Sequence, residues 1–444
     1  MWADMRHKTR RRALVIAAPL LVVVAALLLL LVLVGDDRDE RAPRPRPSAP
    51  AGLEPLAFMP AGASAVLDFD TTQAPGSFAA IGLIPELPGS PLDAGQVQRL
   101  TGGHIAVALA DERVWIAAQT RAAPPRPSGG AVAAKRDGTV VVAPSAPALQ
   151  TALAGAPAAA KDARATFDRR FAGLPASGVR VAFDPRALLA ARSPAVAGSA
   201  WGRSLRTGAA VLVISGDRVT LPFEVSADPA GLSPAELPIA TGADAPRAAG
   251  QGPVVAAVRA PAQTLSFLRS VGLLDALDVL SRAPGFLRPD LSDLGPQATI
   301  VAADQDRLTV RTTPPDPGDW STKLGRLDAL SGLIRFAGLA DVRIDREPSG
   351  AYRIESNGEL AGRVGVYGPV VVFSTDPRAD LPAAAQAPAD APVPGAAGAL
   401  TLRLAPSVLG PLLPALVRGH IADATGWARA ELSSFKGELA VRAR

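Results

Sequence analysis

The residues best suited to acid or base chemistry are two aspartates spaced two positions apart. Asp68 and Asp70 lie in the run AVLDFD, and this spacing on a strand turns both carboxylates to one face of a sheet. Carboxylates held so close can share a proton or bind a cation. We prefer the competing interpretation of a solvated strand end, because the second half of the chain has Val258 and Ala260 at the matching positions. It predicts that replacing both aspartates by asparagine changes stability by no more than about 0.5 kcal/mol.

Histidine and cysteine do not form a recognisable metal site. Such a site needs three or four ligands at characteristic spacings. The chain has three histidines and no cysteine, and neither His104 nor His420 belongs to an H-x-x-H or H-E-x-x-H pattern. His104 opens a predicted strand, and the second half has Gln297 in its place. We therefore predict no metal, no cofactor and no ligand role for either histidine.

Nucleophile and nucleotide motifs are also missing from the sequence. The nearest match to the hydrolase motif G-x-S-x-G is the run from Gly202 to Arg206, which breaks the pattern at its last position. Neither G-x-x-x-x-G-K-[ST] nor a strand followed by G-x-G-x-x-G occurs. The sequence therefore predicts no catalytic residue and a protein that is not an enzyme. The alternative left open is an envelope hydrolase that acts on a glycan or a lipid through carboxylates such as Asp68 and Asp70.

The elements that hold these residues are mostly strands joined by short turns. The first half is predicted to contain strands at 65–69 and 179–183, hairpins at 104–118, 131–143 and 210–225, and helices at 146–154, 163–171 and 186–191. Asp184 and Pro185 suit the first turn of the last of these helices. Because the helices fall between groups of strands, the sheets should be mainly antiparallel.

The second half repeats the pattern of the first. GGHIAVALAD at 102–111 matches GPQATIVAAD at 295–304 in hydrophobic register, and GTVVVAPSAP at 138–147 shares five of ten residues with GPVVVFSTDP at 368–377. The second copy is longer, and its additions include a predicted helix at 320–337. Another helix is predicted at 264–280, where the run is apolar nearly all round and should be buried. The fold class is therefore predicted to be α+β, with two tandem, diverged α+β modules that follow an N-terminal segment. Chance similarity of Ala- and Val-rich strands is the alternative.

Three motifs in the first half are typical of a known family. DGTVVVAPSAPAL at 137–149, followed by FDRRFAGLP and GVRVAFDPRALL, resembles the bacterial membrane-anchored or exported proteins grouped as domain of unknown function thirty-three fifty-two. The resemblance covers most of residues 56–385. It implies an exported α+β module and no particular biochemical activity. The chain departs from the family in its short loop at 121–130.

The N-terminal segment is predicted to be a single transmembrane helix. Residues 13–34, ALVIAAPLLVVVAALLLLLVLV, contain no charged or strongly polar side chain. At about 1.5 Å per residue they reach roughly 33 Å, enough to cross a hydrocarbon core of about 30 Å. A cleaved signal peptide is the alternative, but this apolar run exceeds the roughly 7 to 15 residues of such a peptide and no small-x-small cleavage site follows it.

The charges around this segment predict its orientation. Five cations against Asp4 precede it, whereas the run GDDRDER that follows contains four acids and two bases, so the N-terminus should be cytoplasmic and the rest extracytoplasmic. The same cations account for most of the net charge of +5, and nucleic-acid binding is therefore not predicted. Trp115, Trp201, Trp320 and Trp427 are expected to be core or rim residues.

These observations predict a single-pass protein of the cell membrane with no evident chemistry. The predicted divisions are a cytoplasmic basic flank at 1–12, a transmembrane helix at 13–34, a Pro/Arg-rich linker at 35–55, a first module at 56–226, a linker at 227–249 and a second module at 250–444. The expected function is a non-catalytic binding or scaffold module at the cell envelope. Its expected partners are the lipid bilayer, through the N-terminal helix, and an envelope protein, a wall polymer or an apolar ligand.

Overall fold

The structure is a computed structural model that describes most of the chain after the predicted anchor. The described residues are 52–71, 81–82, 84–87, 89–215, 217–242, 244–272, 294–304, 307–336, 342–356, 358–409 and 421–443. The predicted flank at 1–12, the apolar segment at 13–34, nearly all of the linker at 35–55, and His420 lie outside these ranges. Within them, no helix combines the length and the apolar character needed to cross a bilayer.

In the described residues, nineteen strands make up one sheet. They are β1 Ala65–Asp70, β2 His104–Ala110, β3 Arg113–Gln119, β4 Val132–Arg136, β5 Thr139–Ala143, β6 Val179–Phe183, β7 Leu205–Val211, β8 Val213–Ser215, β9 Arg218–Ala227, β10 Val254–Arg259, β11 Gln297–Ala302, β12 Leu308–Thr312, β13 Val342–Arg346, β14 Tyr352–Ser356, β15 Glu359–Tyr367, β16 Val370–Ser374, β17 Leu400–Leu404, β18 Ile421–Ala430 and β19 Ser434–Ala443.

Nine α-helices lie between groups of these strands in the described ranges. They are α1 Ala94–Arg99, α2 Ala146–Asp168, α3 Pro185–Arg192, α4 Pro194–Ala197, α5 Ala200–Ser204, α6 Pro261–Ser270, α7 Pro317–Phe336, α8 Leu381–Gln386 and α9 Pro406–Leu409. Short 3-10 turns at Pro55–Phe58 and Arg169–Phe171 flank the site described below. The architecture is therefore mixed α+β.

The strand order is the same on both sides of a central junction. The first half pairs as β4-β5-β3-β2-β1-β6-β7-β9, and the second as β15-β16-β12-β11-β10-β17-β18-β19, with β14 and β13 added beyond β15. The two halves meet where β9 pairs with β19, and every strand pairing in the described residues is antiparallel. The prediction of antiparallel pairing is confirmed, but the strands form one continuous sheet and not separate ones.

Each face of the sheet carries its own apolar cluster. On one face, the side chains of Phe69, Ile105 and Phe183 belong to a core that extends into the second half through Leu404 and Leu439. On the other face, α2 and the 3-10 turns pack over the first half. Asp68 is on this second face, because neighbouring residues of a strand point to opposite sides.

Local sequence signals explain the positions of several elements. Asp137 and Gly138 both have positive φ, as a two-residue hairpin turn between β4 and β5 requires. The Asp184 carboxylate accepts hydrogen bonds from the backbone N–H groups of Arg186 and Ala187, and Pro185 is the first residue of α3. The predicted cap and hairpins are therefore confirmed.

Two helix predictions need correction. The helices predicted at 146–154 and 163–171 are one helix, α2, which continues through Pro157 because its buried face packs on the sheet over most of its length. The part of the helix predicted at 264–280 that is described, α6, is mostly half-exposed, and only Pro261 and Phe267 are buried in it. The remainder of that predicted helix lies outside the described residues.

Candidate functional site: a buried carboxylate and guanidinium network

Asp68 is fully buried, which contradicts the prediction of a solvated strand end. It lies on β1 between Ala106 of β2 and Arg180 of β6, at the middle of the first half of the sheet. Its relative exposure is 0%, and that of Asp70 is 6%. The helix α2 covers this face, which the sequence pattern of β1 alone does not reveal. The predicted effect of at most about 0.5 kcal/mol therefore loses its physical basis, because it assumed surface residues.

Two guanidinium groups bind the Asp68 carboxylate. Arg164 donates from Nη1 to Oδ2 at 2.7 Å and from Nη2 to Oδ1 at 3.1 Å. Arg180 donates to Oδ2 from Nη2 at 2.6 Å and from Nε at 3.2 Å. Arg164 comes from α2 and Arg180 from β6, so the carboxylate joins the helix to the sheet. Charge-assisted bonds of this kind are roughly twice as strong as neutral ones.

Two further carboxylates complete the network at its edges. Glu54 accepts two parallel hydrogen bonds from Arg164, at 3.1 Å from Nε and 2.8 Å from Nη2. Asp168 accepts a bond of 2.6 Å from Nη1 of Arg180. Asp168 is 45% exposed at its side chain, whereas that of Glu54 is 18% exposed. The network therefore extends from Glu54, just before the first 3-10 turn, through the sheet to the end of α2.

His104 lies beside both aspartates on the same face. It pairs directly with Asp70 across β1 and β2, and its Nε2 lies 3.9 Å from Oδ2 of Asp70. Its Nδ1 faces two groups, Nη2 of Arg164 at 3.2 Å and Oδ1 of Asp68 at 3.7 Å. A neutral ring with its proton on Nε2 can accept from Arg164, whereas a protonated ring donates toward Asp68. Protonation of His104 therefore exchanges its partner within the network.

The pKa values follow from these contacts. Burial opposes the charged form of Asp68, but hydrogen bonds from His104 and Arg164 and the charges of both arginines outweigh it, so the pKa of Asp68 falls well below its usual range. Burial also opposes the charged form of Arg164, but the hydrogen bonds to Asp68 and Glu54 and their negative charges outweigh it, so the pKa of Arg164 rises. The hydrogen bond to Asp68 raises the pKa of His104 above its ordinary value, against burial and the Arg164 charge.

An apolar layer closes the network on one side. The guanidinium carbon of Arg180 lies 5.3 Å from the ring centre of Phe167 and 5.5 Å from that of Phe171. Both rings belong to a buried cluster with Ala182 and Val211. Cations over aromatic faces are attracted by the ring quadrupole. Arg180 is therefore held both by carboxylates and by aromatic rings.

This arrangement is better suited to holding elements together than to catalysis. A general acid or base needs a pKa near the working pH, and the pKa of Asp68 is displaced far below it. A carboxylate nucleophile needs access to substrate, and Asp68 is enclosed with both oxygens hydrogen-bonded. In the described ranges, no group of three or more His, Asp or Glu residues is placed to hold a metal ion.

The sequence contained signals for the residues that were missed. Arg180 interrupts the otherwise apolar run VRVAF, and a charged residue within such a strand needs a partner if it is buried. Arg164 and Asp168 have the i, i+4 spacing of a helical ion pair. Ser204, from the incomplete hydrolase motif, is the last residue of α5 and donates to the Trp201 carbonyl at 2.7 Å.

Comparison with known proteins yields two distant structural neighbours. Crystal form III of TP0453 has a TM-score of 0.26 and 11% sequence identity, and the match covers 41% of this chain and 82% of TP0453. Crystal form IV of TP0453 has a TM-score of 0.23 and 10% identity, over 39% of this chain and 81% of TP0453. The sequence matches no protein-family profile and no curated protein. The site is therefore interpreted from its geometry alone.

Proposed function

We propose that this chain is a membrane-anchored, extracytoplasmic protein that acts as a non-catalytic binding or scaffold module at the cell envelope. The observation that carries the proposal is the Asp68 network, in which the residues most able to do chemistry are hydrogen-bonded and ion-paired with one another. A buried carboxylate between two guanidiniums stabilises an arrangement of elements, since removal of one partner leaves a buried charge. The assignment to domain of unknown function thirty-three fifty-two belongs to the same proposal.

The network supports a role in tethering the folded body. Glu54 directly precedes the 3-10 turn Pro55–Phe58 and lies near the end of the linker predicted at 35–55. Leu53 donates a backbone hydrogen bond to the Asp137 carbonyl at 3.0 Å, so contacts with the sheet begin before the boundary predicted at residue 56. Arg164 then joins Glu54 to Asp68 at the middle of the first half of the sheet. In this proposal, these contacts of Glu54, Arg164 and Asp68 form a clamp that holds the chain at the point where it arrives from the membrane.

We also propose that the two halves are diverged copies of one module, with strand registers as the support. The pairs Gly208–Val225 and Ala210–Phe223 of β7 and β9, shifted by 216 residues, become the pairs Ala424–Val441 and Gly426–Leu439 of β18 and β19. Both pairs belong to one ladder and count as a single register; the support lies in the equivalent position of the two ladders, since β7 also pairs with β6 in the first half and β18 with β17 in the second.

The junction between the halves supports the same proposal. Under this offset, Arg218 corresponds to Ser434 and Ser226 corresponds to Arg442. The observed pairs are Arg218 with Arg442 and Ser226 with Ser434, so the junction maps onto itself when the halves are exchanged. This is the pattern of a two-fold symmetric interface. The proposed duplication therefore has the form of a dimer joined into one chain.

The registers change the correspondence assumed from the sequence. Ala65 pairs with Leu109 and Phe183, and Val254 pairs with the corresponding Ala302 and Leu404. Asp68 therefore corresponds to Ala257, and Asp70 to Arg259, in place of Val258 and Ala260. A shift of one residue moves a side chain to the other face, so the earlier alignment compared opposite faces. The carboxylate pair is confined to the first copy in either alignment.

A topology and capture experiment tests the proposed location and role. A reporter that is active only in the cytoplasm should be silent when fused after Arg444 and active when fused before Met1. Capture from membranes with the full chain should retain a specific envelope component. An active reporter after Arg444 would contradict the orientation, and turnover of a glycan or lipid by the purified chain, lost in Asp70→Asn, would favour the hydrolase.

A further inference from the structure

The second half of the sheet has a cavity on the face that α2 covers in the first half. It has a volume of about 280 Å³ and lies between strands β17 and β18 and two irregular segments, 246–248 and 390–394. The segments are fixed to each other by the bridge between Ala249 and Ala389 and by a 2.7 Å hydrogen bond from the Asp390 N–H to the Ala248 carbonyl. The cavity is therefore a fixed feature of the fold.

Unpaired donors lie in and next to this cavity. In the described part of the chain, the buried nitrogens Nε of Arg403 and Nε1 of Trp427 have no hydrogen-bond partner. Arg403 lines the cavity, and Trp427 directly opposes the lining residue Thr401 across β17 and β18. Directly opposed side chains lie on the same face about 5 Å apart. A buried donor without a partner costs free energy, and two such donors on one face suggest that something supplies the acceptors.

The charges in the cavity define what could bind there. Arg247 and Arg403 contribute two cations and Asp390 one anion, so the lining carries a net charge of about +1. Nη2 of Arg403 already donates to the Gly250 carbonyl at 2.6 Å and lies 3.3 Å from Asp390, whose backbone carbonyl accepts from Nε of Arg247. The remaining unpaired groups are all donors. A complementary ligand therefore presents acceptors and a single negative charge.

We propose that this cavity binds a singly charged oxyanion, a carboxylate or a phosphodiester group, carried on a small polar molecule or on a unit of a polymer. Arg403 binds the oxyanion, Arg247 contributes charge at the rim, and Trp427 donates its indole N–H and supplies an apolar surface beside the site. The proposal is independent of the membrane location and of the Asp68 network. It adds a ligand class and a place of binding in the second half of the chain.

The test is a calorimetric titration of the full-length protein in detergent, which measures the Kd also in a variant that lacks Trp427. The probes are D-glucuronate for the carboxylate and glycerophosphoglycerol for the phosphodiester, with D-glucose and glycerol as neutral controls. We expect saturable binding of at least one anion and none of the neutral compounds below about 50 mM. The tighter anion identifies which of the two sources the site prefers.

Variants separate this site from general effects on the fold. Arg403→Gln should weaken anion binding at least tenfold, and Arg378→Gln, an exposed arginine of the second half, should leave it unchanged. Trp427→Phe keeps an aromatic ring and removes only the donor, so it decides the outcome if Arg403→Gln does not fold. Three results would each overturn the proposal. They are equal binding of glucose, a Kd that is unchanged in both Arg403→Gln and Trp427→Phe, and the absence of saturable anion binding, which would mean that only water fills the cavity.

Discussion

Replacing Asp68 by asparagine should destabilise the protein strongly, because the change removes the charge at the centre of the network. Asparagine has nearly the same shape, but it is neutral and offers one acceptor oxygen in place of two. The four hydrogen bonds that Arg164 and Arg180 make to the carboxylate are therefore weakened or lost. Breaking a buried ion pair from one side costs about 3–5 kcal/mol.

The structure places this substitution toward the lower end of that range. Arg164 and Arg180 keep Glu54 and Asp168 as partners, and their side chains remain 23% and 19% exposed, so water recovers part of the loss. We expect a decrease of about 3 kcal/mol in the free energy of unfolding for Asp68→Asn. The expected decrease for Asp162→Asn, an exposed aspartate on α2, is within about 0.5 kcal/mol of zero.

Urea unfolding of residues 52–444 at pH 7, followed by tryptophan fluorescence and by circular dichroism, measures both variants. Coincident transitions from the two probes would justify a two-state analysis. A free energy of unfolding for Asp68→Asn within about 0.5 kcal/mol of the parent would refute the reasoning, because the carboxylate would then behave as a surface group.

Three further predictions follow from the same contacts. Starting the chain at residue 56 in place of 52 removes Glu54 and should lower the free energy of unfolding by about 1–3 kcal/mol, and equal stabilities would contradict the clamp. Folding raises the pKa of His104, so the contribution of its protonated ring to the free energy of unfolding is complete below about pH 6.5 and is lost as the pH rises through the folded pKa. His104→Gln should therefore destabilise the protein more at acidic than at alkaline pH, and a decrease in the free energy of unfolding that does not depend on pH would count against this. Residues 52–227 alone expose the edge of β9 that pairs with β19 in the full chain and should form a dimer through that edge, and light scattering that reports a stable monomer would argue against the proposed duplication.

Local signals predicted the hairpins and caps because the chemistry that determines them lies within a few residues. Asp137-Gly138 favours a tight turn, and Asp184-Pro185 favours the start of a helix, whatever surrounds them. The spacing of Asp68 and Asp70 correctly predicted that they share a face. Their burial could not be predicted in this way, because it depends on α2, whose residue Arg164 is 96 positions away in the sequence.

Long-range packing also explains the helix that was divided in the prediction. Gly155 and Pro157 weaken a helix, and the sequence pattern therefore suggested a break between 154 and 163. In the structure, Leu149, Ala156 and Phe167 are all buried along one continuous helix. Contacts on both sides of the proline outweigh the local preference. Under the proposed duplication, the alignment of β1 with β10 was displaced by one residue for a similar reason, since a slip of one residue leaves an Ala- and Val-rich pattern almost unchanged but reverses the face.

The most direct test of the central claim separates stability from chemistry at Asp68. The triple variant Asp68→Leu, Arg164→Met, Arg180→Met replaces the buried charges by apolar side chains of similar volume, a change that is often neutral or stabilising in other proteins. The measurement is complementation of a deletion strain by this variant, with its unfolding midpoint determined in parallel. If the network is structural, the variant folds with a midpoint near that of the parent and complements the strain. A variant that is as stable as the parent and fails to complement would contradict the account and assign Asp68 a catalytic or ligand-binding role.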